Sequence, residues 1–348
     1  MKIAVDAMGG DLAPGAIVSG ALRAAEEDGT SILLVGDEAA IAAEMSRSQV
    51  KNPNVEVVHS DEVVGMDEPA ITPLRKKRRS SVRICGELVK AGKAHAMVTA
   101  GNTGAAMITA KVIIGAIEGV DRPSLAAVFP SRGGRTVVLD VGANVDTRPS
   151  HLRQFAVMGH FYAQEILGTV APKVGLLSIG TEANKGSDLT KEVFKVMQTT
   201  GLNFVGNVEG RDVFNGTLDV VVCDGFVGNV LLKSAESFAK FMEEMMVEEL
   251  KRSWRSRIGA YLAKPAFRHF LKRIDYTEYG AAPLLGINGG CFIGHGSSNS
   301  KAIQNAIRRA VEFSAAQVHT KIRDKVAELH AQEKRLLHEA NRVEVSVS

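Results

Sequence analysis

Five segments rich in Gly, Asn and Asp each follow a predicted strand, and they hold the side chains best suited to chemistry. They are residues 6–11, 99–104, 140–146, 179–188 and 223–229. Their glycines let backbone N–H groups approach a ligand, and a helix that begins beyond them attracts negative charge. Since ligands of open α/β sheets bind beyond the carboxyl ends of the strands, we expect all five to converge on one cleft. Ordinary turns are the competing interpretation of any single segment.

The first segment combines two acids with two glycines. A short buried strand over residues 3–5 leads into Asp6, Gly9, Gly10 and Asp11, and Pro14 then begins a helix, since proline is tolerated in a first turn. Carboxylates repel a bare anion. We therefore expect the two acids to fix the loop or to bind a cation or a proton.

Lys185 and Asn229 are the strongest single candidates for catalysis. Lys185 lies in a Gly-flanked loop, where its charge would hold phosphate or stabilise the oxyanion of a tetrahedral intermediate. A solvated surface lysine is the alternative. Asn229 stands at the start of a long predicted helix, where it would donate to an oxyanion or cap the helix. Asn102 and Asn144 are weaker examples of the same kind.

A protein nucleophile is not evident in the sequence. No elbow sequence for a Ser-His-Asp triad is present, and we interpret Cys85, Cys223 and Cys291 as buried structural residues. No nucleotide fingerprint occurs either; residues 294–299 come close to one but lack its last glycine. Direct attack by a second substrate is therefore the economical chemistry.

A basic run over residues 75–81 follows two prolines. It would receive an anionic substrate, or it forms a solvated basic loop.

The elements that position these residues alternate between strands and helices. Further predicted strands cover residues 31–35, 55–59, 96–99, 125–129, 136–141, 174–179, 218–223 and 290–294. Predicted helices cover residues 80–90, 103–117, 149–166, 188–197, 228–250 and 301–341. This alternation favours an α/β fold with a mostly parallel sheet covered on both faces, although residues 125–129 and 136–141 also fit a β-hairpin.

Charge is concentrated in one window of the chain. Of 348 residues 45% are hydrophobic and 23% charged, as in soluble globular proteins. The window from Lys251 to Arg273 holds eight Lys and Arg residues and no acid, so the rest of the chain has 34 basic residues against 39 acidic ones. A local basic patch on an otherwise acidic protein points to one acidic partner surface.

The basic window also carries two apolar stripes at helical spacing, which predict a protruding amphipathic hairpin at about residues 240–275. Its function stays open among contact with an anionic membrane, packing of a dimer and docking of an acidic carrier protein. Nucleic acid is a weaker option, because no recognition motif is present. The predicted contact residues are Lys251, Arg252, Trp254, Arg255, Arg257, Ile258, Leu262, Phe267, Arg268, Phe270, Leu271, Lys272 and Arg273.

Three observations bear on the compartment. The sequence has no run of about 20 apolar residues, so we expect no membrane-spanning helix. We interpret its first residues as a strand rather than a signal peptide, and its three scattered cysteines fit a reducing cytoplasm. We expect one α/β domain over residues 1–330 and a solvated tail over 331–348.

The chain resembles the bacterial phosphate acyltransferases. The resemblance rests on residues 5–14, 75–81, 100–105, 140–146, 180–188, 224–229 and 288–300, with Arg79 where the family pattern has an acid before Ser80 and Ser81. It implies a Rossmann-like α/β/α sandwich similar to isopropylmalate dehydrogenases and phosphotransacetylases, a homodimer without metal or nucleotide, and peripheral association with the inner face of the cell membrane. The implied reaction turns the thioester of acyl-acyl carrier protein and orthophosphate into acyl-phosphate. That product feeds a glycerol-3-phosphate acyltransferase of phospholipid synthesis.

The resemblance and the loops together give the candidate site. Lys185 and Asn229 are the catalytic candidates. Candidates for binding substrate or phosphate are Asp6, Gly9, Gly10, Asp11, Asn102, Thr103, Gly104, Asn144, Asp146, Gly180, Glu182, Asn184, Asp224 and Gly228.

Two other functions fit parts of the sequence. A metal- and nicotinamide-dependent decarboxylating dehydrogenase shares the expected fold, but no dinucleotide fingerprint supports it. A non-catalytic scaffold for membrane and carrier protein explains the basic hairpin but not five polar loops after strands.

Overall fold

The structure is a computed structural model that describes residues 1–48, 52–267, 270 and 280–347, with the backbone alone for residues 333–347. Within these residues eleven strands form a single sheet. The strands are β1 Lys2–Asp6, β2 Ser31–Gly36, β3 Val55–His59, β4 Ala96–Thr99, β5 Ser124–Ser131, β6 Gly134–Leu139, β7 Val174–Leu177, β8 Phe204–Val208, β9 Val220–Val222, β10 Ala282–Leu285 and β11 Gly290–Ile293. The predicted α/β class with a mostly parallel sheet is confirmed.

Helices cover both faces of this sheet. They are α1 Gly15–Asp28, α2 Glu38–Ser48, α3 Thr72–Arg75, α4 Ser81–Lys90, α5 Thr103–Thr109, α6 Pro149–Ile166, α7 Asp188–Met197, α8 Asp212–Asn215, α9 Gly225–Lys251, α10 Trp254–Leu262, α11 Ser300–Ala315 and α12 Val318–Val347. A π-helical turn, Ala110–Gly115, continues α5, so the α-helix predicted for residues 103–117 is shorter than expected.

The order of the strands is β3-β2-β1-β4-β11-β10-β5-β6-β9-β7-β8, and strand direction reverses in the middle of it. β10 is antiparallel to both of its neighbours, and β5 and β6 form the predicted antiparallel hairpin. On either side of this region the neighbouring strands are parallel. Three successive reversals leave β6, β9, β7 and β8 running opposite to β1–β4.

The expectation that all five polar loops meet in one cleft is therefore wrong within one chain. The loops after β1 and β4 lie at one edge of the sheet, whereas those after β6, β7 and β9 lie at the opposite edge. The rule that groups loops at the carboxyl ends of strands holds only for strands that share a direction.

Two strands were not predicted from the sequence. β8 contains Gly206 and Asn207, and both residue types are depleted in strands. β10 contains Pro283 and is flanked by Gly280 and Gly286. Pro normally marks an edge strand and Gly a bulge or the end of a strand. The sequence pattern therefore does not predict β10, which lies in the interior of the sheet.

The core has a layer on each face of the sheet. One layer holds apolar residues of α1, α6, α11 and α12, and the other holds those of α4 and α5. Phe292 of β11 meets Phe313 of α11 edge to face, with ring centroids 5.6 Å apart. Full burial of such a side chain stabilises the fold by about 1.5–3 kcal/mol. The contact between Phe292 and Phe313 holds α11 on the sheet.

α9 and α10 contact each other but contribute little to the core. Of the 27 residues of α9 only Gly225 and Gly228 are buried, and none of α10 is. α10 coincides with the first predicted apolar stripe, and Trp254 is 68% exposed there. The second stripe lies partly outside the described residues, as do the predicted contacts Arg268, Leu271, Lys272 and Arg273. None of the helices described here combines the length and apolar composition needed to cross a bilayer.

Candidate active site

Asp140 organises the edge where β6, β9 and β7 end. Its carboxylate is fully buried and accepts four hydrogen bonds, from the N–H groups of Leu125, Ala143 and Asn144 and from Asn144 Nδ2, at 2.6–3.1 Å. Burial raises the pKa of Asp140, and the hydrogen bonds oppose that shift. The carboxylate thus holds residues 140–148, the Asp140 loop, in a fixed shape.

The start of α9 packs directly on the Asp140 loop. Gly225 N–H donates to Asn144 O at 2.8 Å, and Asp224 caps the helix by accepting from Val227 N–H at 2.9 Å. A Cβ at residue 228 would lie 1.8 Å from Asp140 O. Only glycine permits this approach, so the predicted ligand residue Gly228 is required by packing.

Asn229 is exposed on the first turns of α9. The helix begins at Gly225 and its cap is Asp224, so the alternative that Asn229 caps the helix is wrong. The side chain lies against Gly142, where a Cβ would be 3.4 Å from Asn229 Oδ1. Its amide N–H groups make no hydrogen bond to the described residues and are available to a ligand.

Lys185 lies in the loop that follows β7, on the strand next to β9. Its N–H donates to Glu182 O at 3.0 Å, and Asn207 Nδ2 donates to the same oxygen at 2.8 Å. Gly186 closes the turn with φ +98°, where a Cβ would meet Ser178 Oγ at 2.7 Å. The backbone is thereby fixed, while the ammonium group is exposed and in no ion pair within the described part of the chain.

The opposite edge carries the loops after β1 and β4. Asp6 is 2% exposed; it accepts from Thr99 Oγ1 at 2.7 Å and from Met8 N–H at 3.2 Å. Burial raises the pKa of Asp6. A Cβ at Gly9 would lie 2.8 Å from Gly101 N, so these two loops touch. The two expectations for the acids are that they fix the loop or that they bind a cation or a proton. For Asp6 the structure agrees with the first expectation, because its carboxylate accepts hydrogen bonds from its own loop and from Thr99.

Asn102 and Asn144 use their side chains within the protein. Asn102 Nδ2 donates to Met66 O at 2.8 Å and to Glu68 O at 2.9 Å, and its Oδ1 caps α5. Asn144 Nδ2 donates to Pro123 O and Asp140. Both side chains position loops and have no amide N–H group left for a phosphate in this arrangement.

The remaining predicted ligands divide between the two edges. Asp11, whose N–H donates to Gly296 O at 2.8 Å, lies with Gly10, Thr103 and Gly104 at the first edge. Asp146, Gly180, Glu182 and Asn184 belong to the loops at the edge of Lys185 and Asn229.

The three cysteines are buried and unsuited to nucleophilic attack. Burial raises the pKa of each thiol, that of Cys291 to about 12. A thiolate is therefore not accessible near neutral pH. Their interpretation as structural residues agrees with this.

The basic run at residues 75–81 is partly neutralised. Lys77 pairs with Glu68, and Arg79 Nε lies 3.1 Å from Asp61 Oδ1. These contacts favour the solvated, internally paired loop over a receptor for an anionic substrate.

Sequence reasoning missed Asp140 as the residue that organises the site. A signal was available: Asp6, Asp140 and Asp224 each directly follow the apolar part of a strand. An acid at that position accepts hydrogen bonds from the N–H groups of the turn that follows it.

The fold is that of the phosphotransacetylases. A phosphotransacetylase from Streptococcus pyogenes superposes with a TM-score of 0.61 at 17% identity, covering 91% of this chain and 94% of its own. A branched-chain phosphotransacylase from Enterococcus faecalis gives a TM-score of 0.53 at 16% identity, covering 90% and 98%.

Sequence comparison gives the family. The model of the Fatty acid synthesis protein family matches residues 1–321, and the chain belongs to that family. Relatives named phosphate acyltransferase include one from Citrifermentans bemidjiense, 51% identical over 94% of this chain and 93% of its own, and one from Pelotomaculum thermopropionicum, 52% identical over 90% and 91%. The predicted resemblance, and with it the prediction of an enzyme of this class, is confirmed.

We predict that Gly228→Ala lowers the free energy of unfolding by about 3 kcal/mol, because the new methyl group overlaps a backbone oxygen that cannot move freely. Gly259→Ala in exposed α10 is the matched control, since nothing lies within 4 Å of its Cβ. Alanine favours the helix there, so we expect no loss and a gain of at most about 1 kcal/mol. Equal urea unfolding curves for the two variants would contradict the packing of α9 on the Asp140 loop.

Proposed function

We propose that the protein transfers a long-chain fatty acyl group from the thioester of acyl-acyl carrier protein to orthophosphate and releases acyl-phosphate. The names of its relatives support phosphate as the acceptor of the acyl group, and the family supports a role in fatty acid metabolism. A glycerol-3-phosphate acyltransferase of phospholipid synthesis would consume the product.

The proposed step is one direct substitution at the thioester. A phosphate oxygen attacks the carbonyl carbon, and the carbonyl oxygen takes up negative charge in the tetrahedral intermediate. Collapse of the intermediate breaks the C–S bond, and the proton of the attacking phosphate reaches the departing thiolate of the carrier directly or through water. Since thiolate is a good leaving group, no strong acid is needed.

The observation that carries the proposal is the placement of two unused donors at one edge. The ammonium group of Lys185 and the amide of Asn229 follow adjacent parallel strands, and neither is engaged by the described protein groups. Each is held on a fixed backbone, by the turn at Gly186 and by the packing of Gly228. Preorganised donors of this kind stabilise an oxyanion by about 3–4 kcal/mol each.

Helix α10 supports peripheral binding to an anionic membrane surface on the cytoplasmic side. Trp254, Ile258 and Leu262 of α10 are each more than half exposed and lie among Arg255 and Arg257. This mixture of apolar bulk and positive charge is that of an interfacial helix. The same positive charge suits an acidic carrier protein that delivers the thioester.

A homodimer is the third part of the proposal. Phe238, Phe241 and Met245 form an exposed apolar stripe at helical spacing along α9, and they are 63%, 53% and 47% exposed. A second copy of the chain packed on this stripe would remove it from water.

The first experiment follows a long-chain acyl-carrier-protein thioester with and without phosphate, in the presence of EDTA. We predict phosphate-dependent loss of thioester with formation of acyl-phosphate and no need for metal.

Lys185→Ala should lower kcat about 100- to 1,000-fold, because it removes one charged donor. Lys191→Ala is the matched control, since Lys191 already pairs with Asp188 at 3.4 Å. Undiminished turnover in Lys185→Ala would remove Lys185 from the mechanism.

We also predict that the chain co-sediments with vesicles rich in anionic phospholipid and less well at high salt. Each basic residue at an anionic surface contributes about 1 kcal/mol, so Arg255→Ser with Arg257→Ser should weaken binding about 30-fold. Arg211→Ser, an exposed residue that pairs with Glu209, is the control. Equal binding to neutral and anionic vesicles would rule out the proposed electrostatic contact.

The dimer predicts a solution mass twice that of one chain in sedimentation equilibrium. Phe238→Ser with Phe241→Ser should shift the protein toward the mass of one chain, since both side chains lie on the proposed contact. A wild-type protein with the mass of one chain at micromolar concentration would refute the dimer.

A further inference from the structure

A pocket of about 460 Å³ opens where the Asp140 loop enters α6. It lies between residues 121–122 and residues 146–151. Gly142 of the same loop lies against Asn229, so one loop both contacts Asn229 and lines the pocket.

The walls of this pocket are held by buried hydrogen bonds. Gln154 of α6 accepts from Asp121 N–H and donates to Gly119 O, both at 2.9 Å. Asn144 Nδ2 donates to Pro123 O at 2.8 Å. The segment that carries Arg122 is thus tied both to α6 and to the Asp140 loop, which gives a site formed before a ligand arrives.

His151 supplies a buried N–H donor to the pocket. The residue is 7% exposed, and its Nδ1 accepts from Arg148 N–H at 3.1 Å. Burial lowers the pKa of His151, which favours the neutral ring. Because Nδ1 accepts from Arg148 N–H, the proton of the neutral ring is on Nε2. Nε2 lies 4.0 Å from Asp121 Oδ2, beyond hydrogen-bond distance, and has no other partner within the described part of the chain.

Positive and negative groups surround this donor. Arg122 and Arg148 line the pocket with Ser150, and neither arginine is in an ion pair among the residues described. Asp121 and Asp146 line it as well. The pocket therefore offers several N–H and O–H donors together with two carboxylates that can only accept when ionised.

This combination distinguishes among oxyanions. A fully ionised sulfate accepts from the arginines but is repelled by the carboxylates. Orthophosphate near neutral pH retains at least one proton, so it accepts from the arginines and donates a P–OH group to a carboxylate. The phosphodiester of a carrier protein's prosthetic arm has no such proton and resembles sulfate in this respect.

We propose that this pocket binds the orthophosphate substrate, with Arg122, Arg148 and His151 as donors and Asp121 or Asp146 as acceptor of the phosphate proton. The assignment deepens the proposed function and rests on it for the role of the bound phosphate. It places the acceptor of the acyl group beside the start of α6 and leaves Lys185 and Asn229 to stabilise the oxyanion.

The experiment combines calorimetric titration with inorganic phosphate and sulfate with steady-state kinetics. We expect the wild-type protein to bind phosphate in preference to sulfate. Arg148→Gln and Arg122→Gln should each raise the Kd and the KM for phosphate about 10- to 100-fold, and leave the KM for the thioester unchanged. Asp121→Asn or Asp146→Asn should reduce the preference for phosphate over sulfate. Arg47→Gln on α2, which pairs with Glu44 at 2.6 Å, is the matched control.

The outcomes separate this inference from the proposed function. Unchanged phosphate binding in both arginine variants and in Ser150→Ala would overturn the inference even if the wild type turns over thioester. An increased KM for the thioester alone would assign the pocket to the carrier's phosphodiester and overturn the orthophosphate assignment. Phosphate binding that depends on the arginines, in a protein that never consumes thioester, would support the pocket and refute the transfer reaction. Thermal unfolding of each variant is the control that tests whether the variant keeps the fold.

Discussion

The reversal of strand direction in the middle of the sheet decides which loops can act together. Antiparallel β10 and the β5–β6 hairpin separate two groups of strands that run in opposite directions. Within each group the polar loops share an edge, and across the groups they do not. The edge beyond β6, β9 and β7 carries Lys185, Asn229 and the pocket at α6. At the edge beyond β1 and β4, the side chains of Asp6 and Asn102 form hydrogen bonds within the protein.

Asp140 shows how this edge is made rigid. A buried carboxylate is costly unless its hydrogen bonds are satisfied, and here four donors surround it. The backbone carbonyl oxygen of Asp140 forms the surface on which Gly228 packs. The same loop thus fixes the start of α9, contacts Asn229 and leads into the pocket beside His151. The catalytic proposal and the phosphate proposal both depend on this loop having one conformation.

Positive charge lies at several separate places on the protein. The exposed arginines Arg255 and Arg257 lie on α10, a helix without a buried residue, which is where we propose that a membrane or carrier surface binds. The arginines beside α6 lie in a pocket with carboxylates, which suits a small protonated phosphate. Lys77 and Arg79 are engaged by neighbouring acids, so part of the basic run pairs within the protein.

The sequence by itself determined the α/β class, most strands and helices, the family, the buried state of the cysteines and the helical stripe of α10. These depend on periodicity, turn residues and motifs, all of which are local. Only the tertiary structure decided that five similar loops divide between two edges, that the side-chain amides of Asn102 and Asn144 donate within the protein, and that His151 and Arg122 line one pocket. Strand direction and hydrogen-bond partners distant along the chain set these outcomes, and a local pattern carries no information about either.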